Sequence, residues 1–450
     1  MKTLSTRDRS FPSEWARLCA RGSAGDEGPI REAVARTVAD VAARGDEALL
    51  ELTARFDGWR PATAAGLAAG PRDFRAAFAA LPPEGRKALK LAADRIRAFH
   101  ARERDAEVPV KRDRIGAILG QVTRPLRRVG LYVPGGTARY PSTVLMTAIP
   151  AAVAGVGEVI ACSPAMKPAE AGGREGQVDA WTLAACHVSG VSRLFKVGGA
   201  QAVAAMAHGT ATVPAVDKIC GPGNAYVAAA KRLVYGQVDI DMIAGPTEVA
   251  VVAGPGADPA ECAADLLAQA EHDVRAVPVL FTPSARLARA VDAEVARQLE
   301  GLPRRAIAER SVEERGALVV TAGLSEAVRL ADEWAPEHLA LLVPDARRWL
   351  PRISRAGAVF AGTHTPEAVG DYLAGPSHVL PTAGTARYAS PLSVATFRRR
   401  MSVLDLSPRA LAAVAPAVDA LAGAEGFEAH ARAVRMRVRA ARPARKGRRS

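Results

Sequence analysis

From Arg128 onward the chain alternates short apolar runs with helical stretches, and this rhythm constrains the fold more than any other feature. RVGLYVPGG reads as a strand and a tight turn, STVLMTAIPAAVAGV as a helix, EVIACS as a strand and VDAWTLAACHVSG as a helix. RLFKVGG, AQAVAAMAHG, KICGPG and NAYVAAAKRLV continue the pattern. Repeated βα units demand a parallel sheet covered by helices on both faces. The alternation resumes with EVAVVAG, a helix to His272, AVPVLFT, the long helix ARLARAVDAEVARQLE, and strands at GALVVT, ALLV and GAVFAG. The expected fold is α/β: two Rossmann-like, incomplete parallel-sheet domains with small N- and C-terminal helical extensions.

Residues 1–29 read as a polar N-terminal arm. Residues 30–131 together with 247–391 are expected to form a first α/β domain, and 132–246 a Rossmann-like dinucleotide-binding domain. Residues 392–450 make a small helical element with a basic tail. The helical reading of the region before His100 rests on REAVARTVADVAARGDEALLELTARF and AALPPEGRKALKLAADRIRAFHARE, whose apolar residues recur every three or four positions.

The formal charge of +13 invites a nucleic-acid reading, but nine of those charges lie between Arg432 and Ser450, so the rest of the chain carries only +4. A basic run without stacking aromatics or a recognition motif is a solvated tail, and no nucleic-acid partner is expected. The five cysteines (Cys19, Cys162, Cys186, Cys220, Cys262) form no CxxC pair and suit a reducing cytoplasm. No apolar run reaches the length of a membrane span, and the N-terminus lacks the apolar core of a signal peptide. A cytoplasmic protein without a membrane partner is the expectation.

Eight histidines are few, and two of them follow a glutamate. In ADLLAQAEHD, Asp258, Pro259 and Glu261 make a strong helix start, and Gln269 and His272 fall three residues apart near the helix end, on one face. The pair fits a metal site or a surface helix ending in polar residues. In WAPEHLALL, proline interrupts a helix just before Glu337 and His338, and an apolar run follows. A carboxylate beside an imidazole at a sheet edge suits proton chemistry, although adjacent residues need not share a face. Asp371 and His378 sit in a glycine-rich stretch as an oxygen and a nitrogen donor. Glu425 and His430 in AEGFEAH read equally as an exposed helix. Three glycine turns, after Tyr132, before Gln201 and before Asn224, each follow a strand and open a helix, where phosphate is accepted. None is a full GxGxxG.

Taken in order, GLYVPGGTARYPSTVLM, VGGAQAVAAMAHGT, DKICGPGNAYVAAAK, AGPTEV, ADLLAQAEHD, APEHL, GDYLAGPSHVLPT and AEGFEAH closely resemble the histidinol dehydrogenase family, from about residue 30 to 435. The resemblance implies one zinc per subunit, held by Gln269, His272, Asp371 and His430. It implies Glu337 and His338 as the acid-base pair, and NAD contacts at Tyr132, Gln201 and Asn224. Substrate contacts would fall on His378 and Glu425, on Thr247, and on His338 and the metal-site residues Gln269, His272, Asp371 and His430. It further implies a homodimer with exchanged terminal elements and shared active sites. The reaction would be oxidation of L-histidinol through L-histidinal to L-histidine with two NAD, at the end of histidine biosynthesis.

Two positions depart from the family pattern. Thr247 stands where the family has serine, and Asp273-Val274-Arg275 replaces a glycine and proline after the first Glu-His pair. The competing readings are a dehydrogenase on the same scaffold acting on another small polyol or sulfonate alcohol, and a basic nucleic-acid module carrying a structural zinc.

Overall fold

The computed structural model describes residues 1–21, 28–103, 108–135, 139–166 and 176–440. Gly136 of the first glycine turn and the basic run beyond residue 440 lie outside the described residues. The chain divides into two compact units, residues 1–103 with 126–397, and residues 104–125 with 398–450.

The larger unit holds two six-stranded sheets. One contains β5 (Arg128–Tyr132), β6 (Glu158–Cys162), β7 (Arg193–Phe195), β8 (Lys218–Cys220) and β9 (Asp239–Ile240), all parallel, with β2 (Ala68–Ala69) antiparallel at the β7 edge. Its order is β2-β7-β6-β5-β8-β9. The other contains β10 (Glu248–Ala253), β11 (Val277–Thr282), β12 (Ala317–Val320), β13 (His338–Leu342) and β14 (Ala358–Ala361), with β1 (Lys2–Ser5) parallel to β12, in the order β1-β12-β11-β10-β13-β14. Every residue of β10 and β11 is buried, as expected for parallel strands covered on both faces. In both sheets the first strand of the run lies centrally and the chain switches direction beside it, so the α/β expectation holds with a doubly wound order.

Two assignments are corrected. The helices Gly28–Arg44, Pro71–Ala80 and Pro83–His100 do not join the 247–391 sheet. They pack on the helices Gly199–His208, Ala180–Ser189 and Pro141–Ala154 that cover the β5 sheet, with Val34, Val41, Phe74 and Ile96 in its core. An amphipathic pattern states that a helix has a buried face, not which sheet receives it. The N-terminal arm, in turn, supplies β1 and the helix Phe11–Cys19, whose Phe11, Trp15 and Leu18 pack on the β10 sheet.

The smaller unit, by itself, is a three-stranded antiparallel sheet in the order β15-β4-β3, from β3 (Lys111–Arg112), β4 (Ala117–Pro125) and β15 (Arg398–Leu406), followed by the helices Pro408–Ala424 and Glu428–Ala440. The C-terminal element is therefore helical only after a long strand, and residues 111–125 belong with it rather than with the first domain. Among the described residues no helix is long and apolar enough to cross a membrane.

Candidate active site

The chemistry-bearing side chains of the larger unit gather at the amino ends of β10, β11 and β13. Thr247 and Glu337 directly precede β10 and β13, and His338 opens β13 beside Val249. The helix Pro259–Ala270 starts as its sequence requires, with Asp258 accepting from the Ala260 N–H at 2.8 Å, and its last turn carries Gln269 ahead of His272. Asp371 comes from the short helix Glu367–Tyr372 that follows β14.

Glu337 is 7% exposed and its Oε2 accepts from the Thr247 hydroxyl at 2.5 Å and from the Glu248 N–H at 3.0 Å. Burial pushes its carboxyl well above the usual range, against the pull of those two hydrogen bonds. His338 is 4% exposed and its Nδ1 donates to the Glu248 carbonyl at 3.2 Å. That bond places the ring proton on Nδ1 and leaves the lone pair on Nε2. Nε2 is buried with no hydrogen-bond partner. Burial pushes the imidazole down to about 4, so the neutral base is the resting form.

Gln269 is buried, and its Nε2 donates to the Thr247 hydroxyl, which leaves the single hydroxyl proton for Glu337. Glu367 Oε1 lies 3.6 Å from His338 Nδ1. Burial, reinforced by Asp371, Glu337 and Asp265, raises the Glu367 carboxyl well above its ordinary value. Asp371 Oδ1 is 3.6 Å from His378 Nδ1. Burial would raise Asp371, but His378, His338 and His272 hold it below the usual range. Burial lowers His272 despite the nearby Asp371 carboxylate.

The larger unit thus brings together Thr247, Gln269, His272, Glu337, His338, Asp371 and His378. Glu425 and His430 belong to the smaller unit, Glu425 at the end of the helix Pro408–Ala424 and His430 in the first turn of Glu428–Ala440, and both are exposed. Among the described residues no three His, Cys, Asp or Glu side chains converge as a metal cluster. By residue type, the His272 imidazole, the Asp371 carboxylate and the Gln269 amide are nitrogen and oxygen donors of the kind a borderline cation accepts.

At the β5 sheet the second group of candidates sits at the carboxyl ends. Tyr132 closes β5, and its hydroxyl accepts from the Gly199 N–H at 3.0 Å; burial pushes the phenol up to about 12. Gln201, in the first turn of Gly199–His208, is 2% exposed and its Nε2 has no partner. Asn224 caps Ala225–Val234 by accepting from the Tyr226 and Val227 N–H groups at 3.0 and 3.2 Å. Two helix N-termini therefore lie at the carboxyl edge of this sheet, beside the switch between β5 and β8.

The sequence reading missed Glu367, Glu248 and Arg21. Glu367 stands four residues before Asp371, a helical spacing that the sequence offered. Glu248, an acid opening an apolar strand and 1% exposed, was legible as an anomaly. Arg21 had no local signal, because its partners lie more than two hundred residues away.

A family model described as histidinol dehydrogenase matches residues 21–438. The chain is 49% identical over 439 residues to a histidinol dehydrogenase of Syntrophotalea carbinolica, covering 98% of this chain and 99% of that one. It is 48% identical over 447 residues to one of Geobacter metallireducens, covering 99% and 100%. A crystal structure of histidinol dehydrogenase from Elizabethkingia anophelis superposes with a TM-score of 0.90 at 32% identity, covering 98% of each chain.

Proposed function

The chain belongs to the histidinol dehydrogenase family, and from that premise we propose that it is an NAD- and zinc-dependent enzyme that oxidises L-histidinol to L-histidine in two steps. The observation that carries the reading is His338, whose Nδ1 is anchored on the Glu248 carbonyl while its buried Nε2 has no partner. A neutral imidazole with one nitrogen fixed and the other free is a base waiting for a proton.

In the first oxidation, Nε2 of His338 takes the proton of the substrate alcohol. Between the two oxidations, Glu337 takes a proton from the water that adds to the aldehyde; a carboxyl raised by burial cycles between its two forms nearer neutrality than an exposed one. In the second, His338 again accepts the hydroxyl proton of the hydrate. Thr247 and the Glu248 N–H hold the Glu337 carboxyl in place throughout. NAD, bound at the crevice of Tyr132, Gln201 and Asn224, would supply the electron acceptor. Gln269, His272, Asp371 and His430 would hold zinc, which supplies a fixed positive charge that orients the substrate.

His378 and Glu425 are the groups suited to the imidazole and amine of histidinol, with Glu425 and His430 contributed by a partner subunit. The cytoplasm is the proposed compartment, consistent with five free cysteines.

Two NADH formed per histidinol is the expected stoichiometry, and a value of one would refute the two-step reading. His338→Asn and Glu337→Gln should each lower turnover by about 10²-fold or more while zinc stays bound. Chelation should remove activity and zinc restore it, whereas indifference to chelators would count against the metal set. Mixing His430→Ala with His338→Asn subunits should recover activity if sites are shared, and no recovery would exclude exchange. A coupled assay with simple diols beside histidinol separates this reading from a polyol dehydrogenase.

A further inference from the structure

Arg21 is buried against Glu248, with 5% and 1% of the two side chains exposed. Its guanidinium engages both carboxylate oxygens through Nε and Nη2, the latter at 3.0 Å. The same Nη2 donates to the Trp334 carbonyl at 2.7 Å and the Ala335 carbonyl at 3.2 Å, and the guanidinium lies 3.8 Å from the Trp334 ring centroid. Those carbonyls end the helix Leu324–Trp334, where a cation is favoured by the helix dipole. Ala335 takes a left-handed φ of 53°, a conformation that a side chain without glycine's freedom keeps only when neighbours hold it.

What Arg21 fixes is therefore the pair of segments that carry the acid-base residues. Glu248 presents its N–H to Glu337 at 3.0 Å and its carbonyl to His338 at 3.2 Å, while Ala335 stands two residues before Glu337. We infer that Arg21, from the N-terminal segment, is a positioning residue for catalysis: it clamps Glu248 to the Trp334–Ala335 turn and thereby sets the geometry of Glu337 and His338. The clamp rests on the proposed roles of those two residues. Its loss displaces a base by a fraction of an ångström, slowing proton transfer rather than weakening substrate binding.

The test uses the full-length, zinc-loaded enzyme. Removing Arg21 alone would strand a buried carboxylate and threaten folding, so Arg21→Met is combined with Glu248→Gln, and Arg21→Lys, which keeps the charge but not the fork, is run beside it. With folding and zinc content verified, kcat is expected to fall about tenfold or more in the double variant and less in Arg21→Lys, with KM for histidinol within about twofold. The solvent deuterium isotope effect on kcat is expected to rise about 1.5-fold or more, because proton transfer has become slower. A merely inactive fraction scales the rates in both solvents alike. A folded double variant or Arg21→Lys with the parent kcat, or with a lowered kcat and an unchanged isotope effect, overturns the inference, provided His338→Asn is strongly impaired. If His338→Asn itself turns over normally, the catalytic reading beneath the inference is what fails.

Discussion

The two sheets of the larger unit share one strand order and use opposite ends of it. The β5 sheet presents Tyr132, Gln201 and Asn224 at its carboxyl ends, among the N-termini of Gly199–His208 and Ala225–Val234. The β10 sheet presents Thr247, Glu337 and His338 at its amino ends, among the C-termini of Pro259–Ala270 and Leu324–Trp334. A helix N-terminus offers free N–H groups and partial positive charge, and a C-terminus offers carbonyls and partial negative charge. One edge therefore offers N–H groups, which suit anions, and the other carbonyls, which suit cations and proton donors. Arg21 on the carbonyls of Trp334 and Ala335 is a resident instance of the second kind.

The sharpest break of this division is His338→Asn. It should lower kcat by about 10²- to 10⁴-fold and leave the NAD dissociation constant unchanged by calorimetry. A large change in NAD affinity would mean that the two edges do not divide the labour.

Gly221→Ala strikes the other edge. At Gly221 φ is +110°, and an added Cβ would meet the Tyr132 carbonyl oxygen at 2.2 Å. The turn is also pinned by Asp241, which accepts from the Gly221 N–H at 2.7 Å, and by Lys231, which donates to its carbonyl at 3.1 Å. The substitution should cost about 1–3 kcal/mol in urea unfolding and raise KM for NAD about tenfold, with KM for histidinol unaffected. Equal damage to both KM values would blur the division.

Gln201→Ala is gentler. The buried Nε2 of Gln201 has no protein partner, so little stability depends on it. One hydrogen bond to the dinucleotide is worth about 1 kcal/mol, which corresponds to a rise of about fivefold in KM for NAD. An unchanged KM would remove Gln201 from the site.

Most of this division was legible in the sequence. The glycine turns after β5, β7 and β8 announced the carboxyl edge of that sheet, because a strand-to-helix turn leaves local marks. The Glu337-His338 pair and the Gln269-to-His272 spacing marked the other edge, although the residues alone left each open to a bland reading. What stayed hidden depends on distance along the chain. The sheet that the early helices cover, the strand supplied by residues 2–5 and the Arg21 clamp are all contacts between remote segments, and periodicity carries no information about a partner.

The smallest expected effect is that of Thr247→Ser, and it tests how tightly the proton edge is set. The Thr247 hydroxyl donates to Glu337 at 2.5 Å and accepts from Gln269. Serine keeps the oxygen and loses the γ-methyl that restricts χ1. A hydroxyl free to sample three wells instead of one spends as little as a third of its time on Glu337, a cost of at most about 0.7 kcal/mol, or about threefold in kcat. Unfolding should barely respond, because the position is only partly buried. A drop well beyond threefold would mean that the methyl, and not the hydroxyl alone, shapes the pocket at this edge.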